Sequence, residues 1–130
     1  MRKLILVAVT ALVLSACKTT EEAMREDPGP KPSNYQETVR NHLTSNLKDP
    51  DSLKQFAMIN LYKGSLWRGA TGGGALPVWV TCVTYNAKNS YGGYTGAKTI
   101  AYAFDRTGMF WVLDTADLRQ GFHYTHCPME

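Results

Sequence analysis

The chain reads as an α+β domain: one N-terminal amphipathic helix packed on a mostly antiparallel sheet of about four strands, stapled by one disulfide. Three observations predict it. Tyr35, Val39, Leu43 and Leu47 recur every four residues, the spacing of one helix face. Downstream, four segments alternate apolar and polar residues between turn-forming connections, which is the pattern of successive hairpins. Cys82 and Cys127 then supply an even pair of sulfurs behind that helix. A helix followed by a run of strands places helical cover on one face of an antiparallel sheet.

The first stretch stands outside this domain. Met1-Arg2-Lys3 is positive, and Leu4 to Leu14 is apolar except for Thr10. That core is about 11 residues long, whereas a spanning helix takes roughly 20. A positive start, a short apolar run and small residues before a cleavage point describe a secretory signal, expected to occupy residues 1–16. A buried first helix of a cytosolic domain would instead show a polar face, and this run has none.

Leu14-Ser15-Ala16-Cys17 resembles the lipobox of bacterial lipoprotein precursors, a leucine, two small residues and a cysteine. The resemblance implies a diacylglycerol thioether on Cys17, cleavage before it and acylation of the new amino terminus. No cofactor is expected beyond that covalent lipid. Each buried lipid methylene contributes about 0.8 kcal/mol, and stable anchoring takes two chains or more, so a triacylated Cys17 is an anchor. Lys18 stands where, by resemblance to enterobacterial sorting, an aspartate would retain the protein at the inner membrane, so the expected site is the periplasmic face of the outer membrane. The bland alternative is ordinary signal cleavage that leaves Cys17 a plain thiol.

Processing changes the charge. Residues 1–16 hold Arg2 and Lys3 and no acid, so 14 basic residues become 12 against 11 acidic, and a formal charge of +3 becomes +1. The basicity belongs to the export signal and gives no support to nucleic-acid binding. Beyond the inner membrane a disulfide forms and persists, and Cys82 with Cys127 is the simplest pair. Bridging them closes a loop of about 46 residues and stabilises the fold by roughly 4 kcal/mol in the chain-entropy picture. Two free buried thiols, or a redox or metal pair, are the alternatives.

Residues 17–33 are polar, with three prolines and no spaced apolar residues, and read as a lipidated flexible tether. A helical turn near Glu21–Arg25 would bury nothing. The domain proper is expected over 34–130. Its helix runs from Tyr35 to Leu47, with Ser33 or Asn34 as N-cap, Glu37 in the first turn and Pro50 enforcing the stop. His42 lies beside the apolar stripe as an edge residue. Gln55–Tyr62 is the first expected strand, with Phe56, Met58 and Tyr62 on one face; Lys63–Ala75 is a glycine-rich connection. Leu76–Asn86 sets Val78, Val80 and Cys82 against Trp79, Thr81, Val83 and Tyr85. Lys98–Asp105 and Met109–Leu113 follow around the turn Asp105–Gly108, and Ala116–Arg119 is a candidate helical turn.

Asn86 to Lys98 is longer than an ordinary hairpin connection. As a binding loop it would use Tyr91 and Tyr94 for stacking on a sugar ring or partner side chain and Lys88 and Lys98 for carboxylate or phosphate, with Asn89 a further candidate residue of the same loop. As a plain turn, both tyrosines would lie back on the sheet. Gly96-Ala97-Lys98-Thr99 lacks the adjacent Gly-Lys and the following helix of a phosphate loop. Asp49-Pro50-Asp51-Ser52, joined to Cys82-Val-Thr-Tyr-Asn-Ala-Lys-Asn-Ser-Tyr-Gly-Gly-Tyr-Thr-Gly96, resembles a pattern of small bacterial envelope proteins over residues 38–105. The resemblance implies a shared domain and carries over no catalytic residue.

His123, His126 and Cys127 have ligand chemistry for zinc, but Gly121 and Pro128 oppose the helix their spacing needs, so no metal is expected. No nucleophile elbow or Ser/His/Asp signature appears. Cys82 as a nucleophile with His123 or His126 would sit mid-strand, where thiols are inert. The expectation is a non-catalytic structural or interaction domain on a lipid anchor, touching an envelope protein or cell-wall glycan. The alternative is an inhibitor or glycan-binding module working through the Asn86–Lys98 loop. A third reading is an enzyme or metal protein using His123, His126 and a free Cys127.

Overall fold

The sheet is built around its longest strand, Ala75–Asn86, which is buried on both faces from Pro77 to Val83. The computed structural model of the chain describes residues 17–114 and Cys127. Helices α1 (Thr20–Arg25) and α2 (Tyr35–Asn46) precede a 3₁₀ turn (Pro50–Ser52) and five strands: β1 Lys54–Met58, β2 Tyr62–Trp67, β3 Ala75–Asn86, β4 Lys98–Phe104 and β5 Phe110–Asp114. The sheet is open and antiparallel, in the order β1-β3-β4-β5, with β2 also paired to β3.

β1 and β2 share one edge of β3. Met58 pairs with Val83, and Tyr62 pairs with Val80. One extra residue has therefore entered the β1–β2 side between these pairs, and another entered between Lys54↔Asn86 and Ala57↔Thr84. Together β1 and β2 form a single ribbon bent by two bulges. At the interruption the Ile59 amide donates to the Cys82 carbonyl at 3.1 Å, and the Thr81 hydroxyl donates to the Ile59 carbonyl at 2.6 Å. Gln55 takes a left-handed backbone, φ 52°, at the first bulge.

Several expectations are corrected here. There are five strands rather than four: the expected strand Gln55–Tyr62 stops at Met58, and Lys63–Trp67, expected in the connection, continues from Tyr62 as a strand paired with β3. Tyr62 does not share a face with Phe56 and Met58. Each one-residue step in register turns the following side chains to the opposite face. Phe56 and Met58 pack with α2, whereas Tyr62 packs with Leu66 and Val80. Two helices, not one, precede the sheet among the described residues, and the shorter one buries Ala23.

The two sheet faces form two cores. Val39 and Leu43 of α2 sit on Trp79, Val83, Tyr102 and Phe104, with Phe110 and Ile100 at the margin. α2 ends at Asn46, one residue short of the expected Leu47, which is already extended as the C-cap three residues ahead of Pro50; Asn34 at the N-cap makes no side-chain cap bond. The opposite face gathers Leu66, Val78, Val80, Cys82, Ala101, Ala103 and Leu113 around Cys127. Cys82 and Cys127 are joined as a disulfide with Cα atoms 5.6 Å apart, which ties the distant end of the chain to mid-β3.

The segment read as a flexible tether lies along the domain. The Lys18 carbonyl accepts from the Ala75 amide at 2.9 Å, forming a parallel bridge between Lys18 and Gly74. A capping box closes α1: Thr19 Oγ1 accepts from the Glu22 amide at 3.2 Å, and Glu22 accepts from the Thr19 amide at 2.8 Å. Those bonds hold the Glu22 carboxyl below its ordinary pKa. Further on, Trp79 Nε1 donates to the Gly29 carbonyl at 2.9 Å and Arg106 donates to the Asp27 carbonyl at 3.0 Å. Beside these carbonyl bonds only Ala23 and Pro28 are buried, two isolated residues that make no apolar periodicity. The signal expected at 1–16 and the helical turn expected at Ala116–Arg119 lie outside the described residues.

Candidate functional site

The β3–β4 connection is closed by its own backbone and by one side chain. Lys88 and Tyr94 pair across it as an antiparallel bridge. The Asn89 amide donates to the Gly93 carbonyl at 2.8 Å, and Gly92 donates back to Asn89 at 3.1 Å. Asn89 Oδ1 accepts from the amides of Tyr91 and Gly93 at 2.9 and 3.1 Å. This is an Asx-type turn, in which a short amide side chain replaces a backbone acceptor. Gly92 adopts φ 80°, a conformation a β-carbon resists.

Ser52 fastens the loop to the rest of the domain. Its hydroxyl donates to the Asp49 carbonyl at 2.7 Å and accepts from the Lys88 amide at 2.9 Å. Its own carbonyl accepts from the Tyr94 hydroxyl at 3.0 Å. Lys54 Nζ stands 4.5 Å from the Tyr94 ring centre, and Lys88 Nζ 5.8 Å. The 3₁₀ turn Pro50–Ser52 and the β3–β4 connection are thus one physical unit. The 3₁₀ turn exists to present Ser52, and the loop closes upon it.

The expected binding residues separate into three groups. Lys88, Asn89 and Lys98 line one recess with Leu47, Tyr85 and Thr95, about 110 Å³ in volume. Burial, and then the nearby Asp114 carboxylate, push the Tyr85 hydroxyl above its ordinary pKa. Tyr94 turns back to the Ser52 carbonyl of the 3₁₀ turn rather than onto the sheet, while Tyr91 stands 96 % exposed at the tip. Small-molecule pockets run to roughly 300–1,000 Å³. The recess is well below that size, so this end of the domain suits a surface contact made by a projecting ring and flanking ammonium groups.

His42 Nδ1 lies 3.0 Å from the Tyr102 hydroxyl, with its ring edge-on to Tyr102 and Phe110. It is the satisfied edge residue expected. Cys82 and Cys127 hold each other, which removes both thiols from nucleophilic or metal-binding use. Among the described residues no group of three or more histidines, cysteines or carboxylates is placed to hold a metal ion. His123 and His126 lie outside the described residues. Cys17 is exposed, its thiol 3.5 Å from the Ala70 carbonyl.

Sequence reasoning missed two features. Gln36, Glu37 and Arg40 of α2 and Phe56 and Met58 of β1 line a second recess, about 440 Å³, with the Arg40 guanidinium 4.1 Å from the Phe56 ring centre. Its residues were visible only as parts of separate elements. The other is the clasp of Lys18 on Gly74 and Ala75, whose only sequence signal is the glycine run 72–74. No protein-family model, curated protein or solved structure matches the chain.

Proposed function

We propose that the chain is a lipid-anchored cell-envelope lipoprotein, attached through Cys17 to the periplasmic face of the outer membrane, whose domain is a non-catalytic contact module. The observation that carries this reading is Leu14-Ser15-Ala16-Cys17 at the end of a short apolar run. Two structural facts support it. Cys17 stands exposed, as a modifying enzyme requires, and the disulfide suits an oxidising compartment. The contact element is the Asn86–Lys98 loop, where Tyr91 projects from a turn braced by Asn89 and Ser52.

The test is intact mass spectrometry of the protein taken from its native envelope. A diacylglyceryl-cysteine at the new amino terminus is the expected result, and Cys17→Ser should move the protein to the soluble fraction. Met1 still attached, or an unmodified thiol at position 17, would end the reading. Cross-linking in intact envelopes then identifies what the loop touches, and Tyr91→Ala should remove that adduct.

A second reading, an inhibitor or glycan-binding module, draws on the same exposed tyrosine, since aromatic faces stack on sugars and plug partner clefts. Retention on isolated cell wall that is lost in Tyr91→Ala would favour it. Retention unchanged by that substitution would leave the loop a turn.

A further inference from the structure

A lipid on Cys17 could act as a leash, with the domain free to tumble above the bilayer. The geometry around Gly74 is different. The β2–β3 turn, Arg68–Gly74, folds over so that the Gly74 amide reaches the Gly69 carbonyl at 3.0 Å, and Gly74 adopts φ 77°. A β-carbon on Gly74 would collide with the Lys18 carbonyl oxygen and stand 2.9 Å from the Lys18 nitrogen. The absence of a side chain there is what lets Cys17 and Lys18 lie against the turn. Just beyond, the Ala75 amide bonds to Lys18, α1 is capped at once by Thr19, and Ala23 is 1 % exposed against the domain. Lys18 Nζ closes the arrangement through a 2.7 Å ion pair with Glu26.

On the reading that Cys17 carries lipid, we infer that the Arg68–Gly74 turn is the surface with which the domain rests on the phospholipid bilayer. The acyl chains begin at the atom beside this turn, so no spacer separates them. Lipidation removes the thiol proton, and with it the weak contact to Ala70, but leaves the backbone bridge of Lys18 to Gly74 and Ala75 in place. The turn is small and polar enough to lie among headgroups: Ala70, Thr71, Gly72 and Gly73 are exposed, as is the Arg68 guanidinium, which suits lipid phosphate. Trp67, half-buried at the end of β2, has the amphipathic ring favoured at such an interface.

The rest of the fold then acquires a direction. β3 starts at Ala75, beside the anchor, and ends at Asn86, where the binding loop begins. Twelve residues of strand span about 36 Å at roughly 3.3 Å per residue. Tyr91 is therefore carried to the far end of the sheet, away from the lipid.

The experiment uses the lipidated full-length protein reconstituted in vesicles of phosphatidylethanolamine and phosphatidylglycerol that carry nitroxide-labelled headgroups. Thr71→Cys and Tyr91→Cys are each labelled with a fluorophore, Cys17 being blocked by lipid and Cys82 and Cys127 by each other. Loss of most fluorescence at position 71, with none at position 91, is expected. Gly74→Ala, which displaces Lys18, should abolish that contrast while the protein stays on the vesicles. Equal quenching at both positions in the unaltered background, or stronger quenching at position 91, would overturn the inference. Mass spectrometry of the same sample separates the two readings: an unlipidated Cys17 sinks the anchor itself, whereas a lipidated Cys17 with equal quenching sinks only the orientation.

Discussion

His42 of α2 and Tyr102 of β4 meet through Nδ1 and the phenolic oxygen at 3.0 Å, in the seam where the helix lies on the sheet. Tyr102 has no exposed surface, and Phe110 packs edge-on against the same imidazole. Burial, with a smaller effect from Tyr85, pushes the Tyr102 hydroxyl up to about 12 from an ordinary value of 10. Tyr102→Phe should cost about 1 kcal/mol in urea unfolding, the net worth of one such bond. The sign of the pH effect follows from the raised value. The unfolded tyrosine ionises near 10 while the folded one holds its proton, so stability is full below pH 10 and is lost as pH rises towards 12. The Tyr102→Phe variant should show a shallower alkaline decline. An identical decline in both proteins would mean that Tyr102 is not its source.

The disulfide should be worth more than any single side chain. Closing a loop of 45 residues of separation contributes roughly 4 kcal/mol through the unfolded state. Cys127→Ser, or reduction under native conditions, should lower the unfolding free energy by about that much, as read from denaturant midpoints with and without reductant. No shift would mean that the two cysteines do not constrain the unfolded chain.

The two loop tyrosines should behave oppositely. Tyr91→Ala should leave stability within about 0.5 kcal/mol, because the ring touches almost nothing. Tyr94→Ala loses the bond to the Ser52 carbonyl and the stacking of Lys54, and should cost about 1–2 kcal/mol. Ser52→Ala should resemble Tyr94→Ala, since it releases Lys88. The check is parallel thermal unfolding of the three variants, together with cross-linking yield in intact envelopes.

Gln55 offers a backbone test. Its left-handed conformation at the first bulge costs a residue with a β-carbon roughly 1–2 kcal/mol. Gln55→Gly removes that cost but adds about 0.5–1 kcal/mol of chain entropy, so a net gain of about 0.5 kcal/mol is expected. Gln55→Val should instead destabilise, because a β-branched side chain tolerates that conformation poorly. The order glycine, glutamine, valine in denaturant midpoint is the measurable outcome.

Much of this was written in the sequence in physical terms. The stripe through Val39 and Leu43 marks α2, Pro50 marks only the 3₁₀ turn beyond its end at Asn46, and the alternation around Val78, Val80 and Cys82 assigns β3 to two faces correctly. Asn89 with Gly92 marks the turn at the loop tip. What escaped is what depends on partners rather than pattern. Lys63-Gly64-Ser65 has no apolar residue and is a strand only because β3 offers it a ladder. The register steps that turn Tyr62 away from Met58 leave no mark in composition. Ser52 reaches Lys88 across 36 residues through one hydroxyl, and residues 18–29 adhere through backbone carbonyls and two isolated buried residues, Ala23 and Pro28, too few to make a pattern. For the site, the residue types of the loop were readable, but not that Tyr94 is a brace and Tyr91 the projection.

The bent β1–β2 ribbon bears on how copies would coexist if the proposed lipid anchor holds them in two dimensions. Confinement to a surface raises local concentration, and a long flat strand at the rim of a sheet invites a neighbour's strand to pair with it. Here the outer ribbon changes register twice within 14 residues and presents Lys54, Gln55 and Lys63 along its exposed positions. An incoming chain could match that broken ladder over only a few amides, so the same bulges that re-aim Tyr62 also blunt this rim against strand pairing, while β5 forms the sheet's other rim.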